Sequence, residues 1–303
     1  MIRYASALDQ LEAAVEAEAP GWAARAETRT SILRDLKAYA EEYVDAAGEK
    51  KKLSAFWGEV KQVYMRRQYK KCVYCETKLE GARFATVQWD LEHFRPKGNV
   101  RRWPPKKSAE SYGFEPGEDW PDGYYLLAYH LRNYAAACKT CNSPFKSDYF
   151  PVTAARVGSM PHPEDYQAEE PLLLYPLGAS DADPETLITF FGAEARPRSP
   201  EPGEPGHNPS QWRRGRVLIN FFGLNRDGLV YNRAWWLLNA VWPNFKLAEL
   251  GDADGVKNVE RARSERAPFT ACSRRFLELC EEDRPEAAGL IPVLEEIISR
   301  MDD

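Results

Sequence analysis

Two Cys-x-x-Cys pairs, Cys72-Val73-Tyr74-Cys75 and Cys138-Lys139-Thr140-Cys141, constrain the fold of this 303-residue chain more than any other feature. Four thiolates in two knuckles make a tetrahedral zinc cage, which must bring two distant stretches of chain to one point. A single pair could serve redox chemistry, but that calls for one motif beside a β-α-β unit, not two pairs separated by 62 residues. The separation exceeds the roughly 15–20 residues of a simple zinc ribbon, so further structure is expected between the knuckles. The opening residues Met1 to Ala5 lead into Asp9, Glu12 and Glu16, where a secretory signal needs an unbroken apolar run. A reducing cytoplasm is therefore expected, and there cysteines bind metal more readily than they form disulfides.

The longest apolar runs, such as 123–128 and 135–138, fall far short of the ~20 residues that cross a bilayer, so no membrane span is expected. With 44% hydrophobic and 12% aromatic residues, the chain has enough apolar material for a packed core. The net charge of −5 gives no sign of a polyanionic partner. Taken by segment it does, because residues 50–107 carry sixteen basic and five acidic side chains while residues 108–200 carry six and fourteen. Such a basic run reads either as a solvated helix face or as a surface for a polyanion.

Leu8, Leu11, Ala14 and Val15 fall at helical spacing before Pro20-Gly21 and predict a helix over 6–19. Ile32, Leu33, Leu36, Ala40 and Val44 predict a second over about 31–47, and Phe56, Val60, Val63 and Tyr64 a third over about 54–69. Between 72 and 96, Phe84, Val87 and Trp89 alternate with small or polar residues, which suits a short hairpin. Residues 98–123 hold four prolines and four glycines around Trp103, Tyr112 and Trp120, the composition of a long inserted loop. Residues 126–146 return to helical composition, 194–209 read as a Pro-rich linker, and 212–222, 234–250 and 269–282 have helical periodicity. No internal repeat is present.

Between the knuckles lies Trp89-Asp90-Leu91-Glu92-His93-Phe94-Arg95-Pro96-Lys97, with two carboxylates and an imidazole in four residues, followed by Asn133 and by Asn142 directly after the last cysteine. An acid beside a histidine, then two asparagines around the second knuckle, resembles the HNH, or ββα-metal, nucleases. In that family the histidine ends the first strand, the first asparagine precedes the helix and the last His or Asn lies on it. Lys71 to Glu76, Glu92 to Lys97, Gly123 to Tyr129, Cys138 to Asn142 with Lys146 and Phe150-Pro151, and later Pro171 to Pro176 and Gly223 to Arg226, look like the HNH subunit of Septu-type and retron-associated antiphage systems. The similarity spans roughly residues 57 to 235 and implies an ABC- or SMC-like ATPase partner. One departure stands out: most HNH motifs carry aspartate directly before the histidine, where this chain has Glu92, with Asp90 two residues earlier.

The resemblance implies a role for each residue. Phosphodiester hydrolysis needs an activated water and neutralisation of charge on the leaving 3′ oxygen, and Mg²⁺ or Mn²⁺ held by oxygen ligands meets the second need. Glu92 and Asn142 are the expected ligands, with Asp90 a rival on the same strand face. His93, with an ordinary pKa near 6.5, is the expected general base. Asn133 is expected to hold the loop and orient the imidazole. Arg95, Lys97 and Lys146 are expected to contact flanking phosphates.

The expected fold is mainly α, with a small zinc-organised ββα-metal core over 71–152, carrying the 98–123 loop, between helical segments 1–70 and 153–303. The expected activity is metal-dependent cleavage of DNA in antiphage defence. Two alternatives stay open: cleavage of RNA such as tRNA, because the motif attacks phosphodiesters of either sugar, and a zinc-organised module that binds nucleic acid or protein without catalysis. His130, His162 and His207 read as structural or exposed histidines, Cys272 and Cys280 as core residues, and Trp235, Trp236, Trp242 and Phe245 as core or interface. Without a G-x-x-x-x-G-K-[ST] sequence, no P-loop ATPase activity is expected of the chain itself.

Overall fold

The computed structural model of the protein describes residues 1–79, 85–108 and 110–302. It is mainly helical, and the described residues form three two-stranded antiparallel sheets. No helix among them is long and apolar enough to cross a membrane. The chain forms two compact units, one of residues 5–70 and 79–181, the other of residues 1–4, 71–78 and 182–303.

The first unit begins with α1 (Leu11–Glu18), which buries Leu11 and Val15, and α2 (Trp22–Leu36), which buries Trp22, Ala26 and Leu33. The helix expected over 31–47 stops at Leu36, where Lys37 turns left-handed at φ 56°. The rest of that segment is a ribbon, β1 (Glu42–Val44) against β2 (Lys50–Lys52). Its turn is fixed by Asp45, whose Oδ1 accepts the amides of Ala47 and Glu49 at 2.9 Å each, and by Gly48 at φ 80°. Local side-chain bonding of this kind outcompetes a helix. A 3-10 turn, Trp57–Val60, runs into α3 (Lys61–Arg67), which buries Val63, Tyr64 and Met65.

A short helix, α4 (Ala85–Gln88), leads into β3 (Trp89–His93), which pairs antiparallel with β4 (Tyr134–Cys138) in the register Trp89↔Cys138 to His93↔Tyr134. This corrects two expectations. Among the described residues the strand after the first knuckle pairs not within 72–96 but with part of the segment expected to be helical over 126–146; Phe84 lies outside the described residues. The Ala135-Ala136-Ala137 run has helical propensity, but all five β4 residues are buried, and packing overrides so weak a preference. Gln68, fully buried, completes the sheet by donating from Nε2 to Ala136 O and accepting from Ala136 N, both at 2.8 Å. After β4 the chain enters a π-type helical turn, Cys141–Lys146.

The 98–123 loop is closed tightly at its base. Val100 and Trp120 exchange backbone hydrogen bonds at 2.8 and 2.7 Å, and Tyr124 N donates to Pro96 O at 2.9 Å. Gly123 sits at φ 61°, and a Cβ there would lie 1.5 Å from Gly98 O, so only glycine fits.

In the second unit β5 (Ile188–Phe191) pairs with β6 (Glu194–Pro197), so the expected linker over 194–209 begins as a strand and only its remainder is loop. Six helices follow: α5 (Pro209–Phe221), α6 (Asp227–Trp236), α7 (Trp242–Glu249), α8 (Ala253–Arg263), α9 (Thr270–Glu282) and α10 (Arg284–Asp302). Asn208 and Asp252 cap α5 and α8 through the amides of Gln211 and Gly255. Residues 71–78 anchor here, with Tyr74 stacked on Phe222 at 4.0 Å and the Met1 ammonium 2.6 Å from Glu76. That cation, with the Lys71 ammonium 3.4 Å away, holds the Glu76 carboxyl down at about 2 despite its burial. Cys272 and Cys280 are buried, as expected.

Candidate functional site

The sulfurs of Cys72, Cys75, Cys138 and Cys141 all lie within 4.8 Å of one another. A tetrahedral zinc with Zn–S of about 2.3 Å sets its sulfurs roughly 3.8 Å apart, so the cluster can hold such an ion. All four cysteines are at most 9% exposed. Each knuckle is shaped by its own backbone: Glu76 N donates to Cys72 O with Glu76 at φ 62°, and Cys141 N donates to Cys138 Sγ at 3.4 Å. An amide aimed at sulfur favours the thiolate a metal needs.

Where β3 ends, the structure opens a cleft of about 760 Å³ whose walls include Asp90, Glu92, His93, Lys97 and Asn142. Five expected site residues therefore share one space. Asn142 Nδ2 donates to Asp90 Oδ2 at 3.1 Å, and Lys139 Nζ lies 2.8 Å from the same oxygen. Glu92 is 5% exposed, with Lys146 Nζ at 3.3 Å, and its Oε1 makes no hydrogen bond with a described residue. Burial pushes the Glu92 carboxyl up to about 7, against the pull of the Lys146 ammonium.

The His93 ring is fixed on three sides. Nε2 lies 3.0 Å from Ala128 O, and Trp57 and Tyr134 meet the ring edge-on at 4.8 and 5.0 Å. A carbonyl can only accept, so Nε2 carries the proton and Nδ1 keeps its lone pair. Burial pushes the imidazole down to about 3, and the Lys97 ammonium adds to this. Lys97 Nζ rests over the rings of Tyr39 and Trp57 at 4.9 and 5.0 Å, with no carboxylate of a described residue in ion-pair range.

Three expected site residues lie elsewhere. Asn133 is buried and acts on the chain rather than on the cleft: its Oδ1 accepts from Arg95 N at 2.8 Å, and its Nδ2 donates to Arg95 O and Leu127 O. It thereby clamps the segment that leaves His93. Arg95, expected at a phosphate, instead points inward, 3% exposed and 2.8 Å from Glu169. Lys146, also expected at a phosphate, is fully buried against Glu92. In both cases an acid distant in sequence captures the base. Removing one partner of a buried pair costs about 3–5 kcal/mol. Arg95→Ala is accordingly expected to lower stability by that order in a denaturant titration; an unchanged midpoint would contradict the inward pairing.

Sequence reasoning missed Tyr39, Trp57, Lys61 and Asp148, which also line the cleft. Trp57 and Lys61 fall inside the stretch expected to be helical over about 54–69, and no local signal marks them.

Acid should destabilise the fold through two half-buried imidazoles. His93 is held at about 3 and His130, by burial, at about 4. Between those values and 6.5 the unfolded chain binds protons that the folded chain refuses, so stability falls as pH drops through this window. Without added divalent cation, His93→Gln is expected to lose about 2 kcal/mol less than the parent between pH 7 and pH 5. Equal losses in denaturant titrations would show that His93 is not held neutral.

Compared with protein-family profiles, with curated proteins and with solved structures, the chain matches none.

Proposed function

We propose that the protein is a zinc-organised, metal-dependent HNH endonuclease that hydrolyses phosphodiester bonds of DNA. The observation that carries this reading is the shared cleft of Asp90, Glu92, His93 and Asn142, with the Nδ1 lone pair of a neutral imidazole unclaimed. Oxygen donors of this kind fit a hard cation, and the hydrogen bond between Asp90 and Asn142 favours these two as ligands, with Glu92 behind them. When bound, Mg²⁺ or Mn²⁺ would supply neutralisation of the charge that builds on the 3′ leaving oxygen.

The chain's own residues supply the rest. His93 Nδ1 takes a proton from the attacking water while Ala128 O keeps the ring from turning. The low basicity of the bare site is relieved by substrate, because a phosphodiester anion in the cleft favours the imidazolium. Lys97 is the cleft ammonium placed to meet that anion, held by two aromatic faces rather than by an acid. Asn133 keeps the backbone after His93 in place through both polar groups of Arg95. The resemblance to Septu-type and retron-associated nuclease subunits extends the proposal to an antiphage effector licensed by an ATPase.

The test is incubation of supercoiled plasmid with the purified chain, alone and with a candidate ATPase, in Mn²⁺ or Mg²⁺ and in their absence. Conversion to nicked and linear forms only with the cation is expected. Intact plasmid under every condition would leave RNA cleavage and the non-catalytic binding module as the better readings.

A further inference from the structure

The 98–123 loop does more than bridge β3 to the rest of its unit. With residues 150–156 it encloses a second cavity of about 390 Å³, within the range that takes a small ligand. Arg101, Arg102, Trp103, Trp120 and Arg156 line it. Two of the arginines are engaged: Arg101 donates to Ser147 Oγ at 2.7 Å and lies over Tyr149, and Arg156 donates to Phe150 O at 2.9 Å and lies over Trp120. Arg102 is different. Its guanidinium forms no hydrogen bond or ion pair with a described residue, and its Nε, like that of Arg101, is enclosed without a hydrogen-bond partner. Asp119, the nearest acid in its bonding, accepts from the Arg102 backbone amide at 2.7 Å.

We infer that this cavity binds one nucleotide of a single-stranded segment of the substrate, with its phosphate on Arg102 and its base against the indoles. The inference rests on the nuclease reading and specifies what the enzyme grips beside the bond it cuts. A half-buried guanidinium whose Nε is enclosed and which has no acceptor among the described residues is poised for an anionic oxygen. Indole faces cover a base of any sequence. The acidic side chains that share the lining, Glu115, Glu118 and Asp119, make the cavity poor for a bare anion but can accept from the amino groups of a base. The catalytic cleft is next door, because Ser147, which Arg101 holds, also lines the cleft of His93. A stacked base in a duplex cannot enter such a cavity, so an unpaired or flipped nucleotide is required.

Fluorescence anisotropy with a labelled 12-nucleotide single-stranded DNA, and with the same sequence as a duplex, tests this without cleavage if divalent cation is withheld. Arg102→Gln and Trp103→Ala are each expected to weaken single-strand binding about tenfold, with Trp103→Phe restoring most of it, and Arg102→Gln to flatten the log–log salt slope by about 0.7. The duplex should be affected less. Failure of the parent protein to bind the single strand, or equal affinity in parent and Arg102→Gln, overturns the subsite. Cleavage of plasmid with unchanged single-strand affinity in the variants removes the subsite and leaves the nuclease. Arg102-dependent binding in a protein that cuts nothing does the reverse.

Discussion

A His93→Ala protein is expected to keep its zinc and its fold and to cleave DNA about 10²- to 10⁴-fold more slowly than the parent, the span that general-base catalysis usually contributes. The magnitude follows from the ring's position. Nε2 is committed to Ala128 O, so Nδ1 is the sole ring atom that can take the water's proton. The substitution also opens space between Trp57 and Tyr134, which flank the ring. Added imidazole should enter that space and restore part of the rate, a recovery that a merely structural histidine would not show. Melting temperature and metal content measured on the same preparation separate lost chemistry from lost folding. Cleavage by His93→Ala at the parental rate would remove His93 from the mechanism.

Loss of the sulfur cluster should be felt in stability rather than in chemistry alone. Structural zinc contributes on the order of 10 kcal/mol to small domains that depend on it. Even half of that lowers the melting temperature of a chain this size by about 8 °C. Cys138→Ser, or extraction of the parent with a strong chelator, is expected to release about one zinc per chain and produce a fall of that order. Cys280→Ser is the control, because Cys280 is equally buried but lies outside the cluster. It should keep the metal and melt within a few degrees of the parent. A Cys138→Ser protein as stable as the parent would show that the cysteines do not hold a structural ion.

Chemistry-bearing positions were more legible in this sequence than the elements that carry them. The cysteine spacing announced a metal cage because few other structures need four thiols in two such pairs, and the four sulfurs do converge. The 98–123 loop announced itself through proline and glycine, and Gly123 shows why one of those glycines is required. Strand β4 was hidden because Tyr-Ala-Ala-Ala-Cys is buried on both faces and carries no alternation to read. Arg95 and Lys146 were misread for a different reason. A basic side chain in a sequence looks the same whether it faces a phosphate or an acid 74 residues away, and only the fold brings Glu169 to Arg95. Lys97 escaped that fate because its ammonium rests over two aromatic rings, and the nearby carboxylates of Glu92 and Asp148 stay beyond ion-pair distance. Tyr39 and Trp57 gave no signal at all, since an aromatic residue that lines a cleft and one that fills a core differ only in what lies opposite.

Diffraction from crystals soaked in Mn²⁺, measured for the anomalous signal of that ion, tests the central claim most directly. The account expects a peak in the His93 cleft within ligand distance of Asp90 and Asn142, separate from the signal of the cysteine cluster. A cleft without a peak at saturating Mn²⁺, in crystals whose cysteine cluster is loaded, would contradict it.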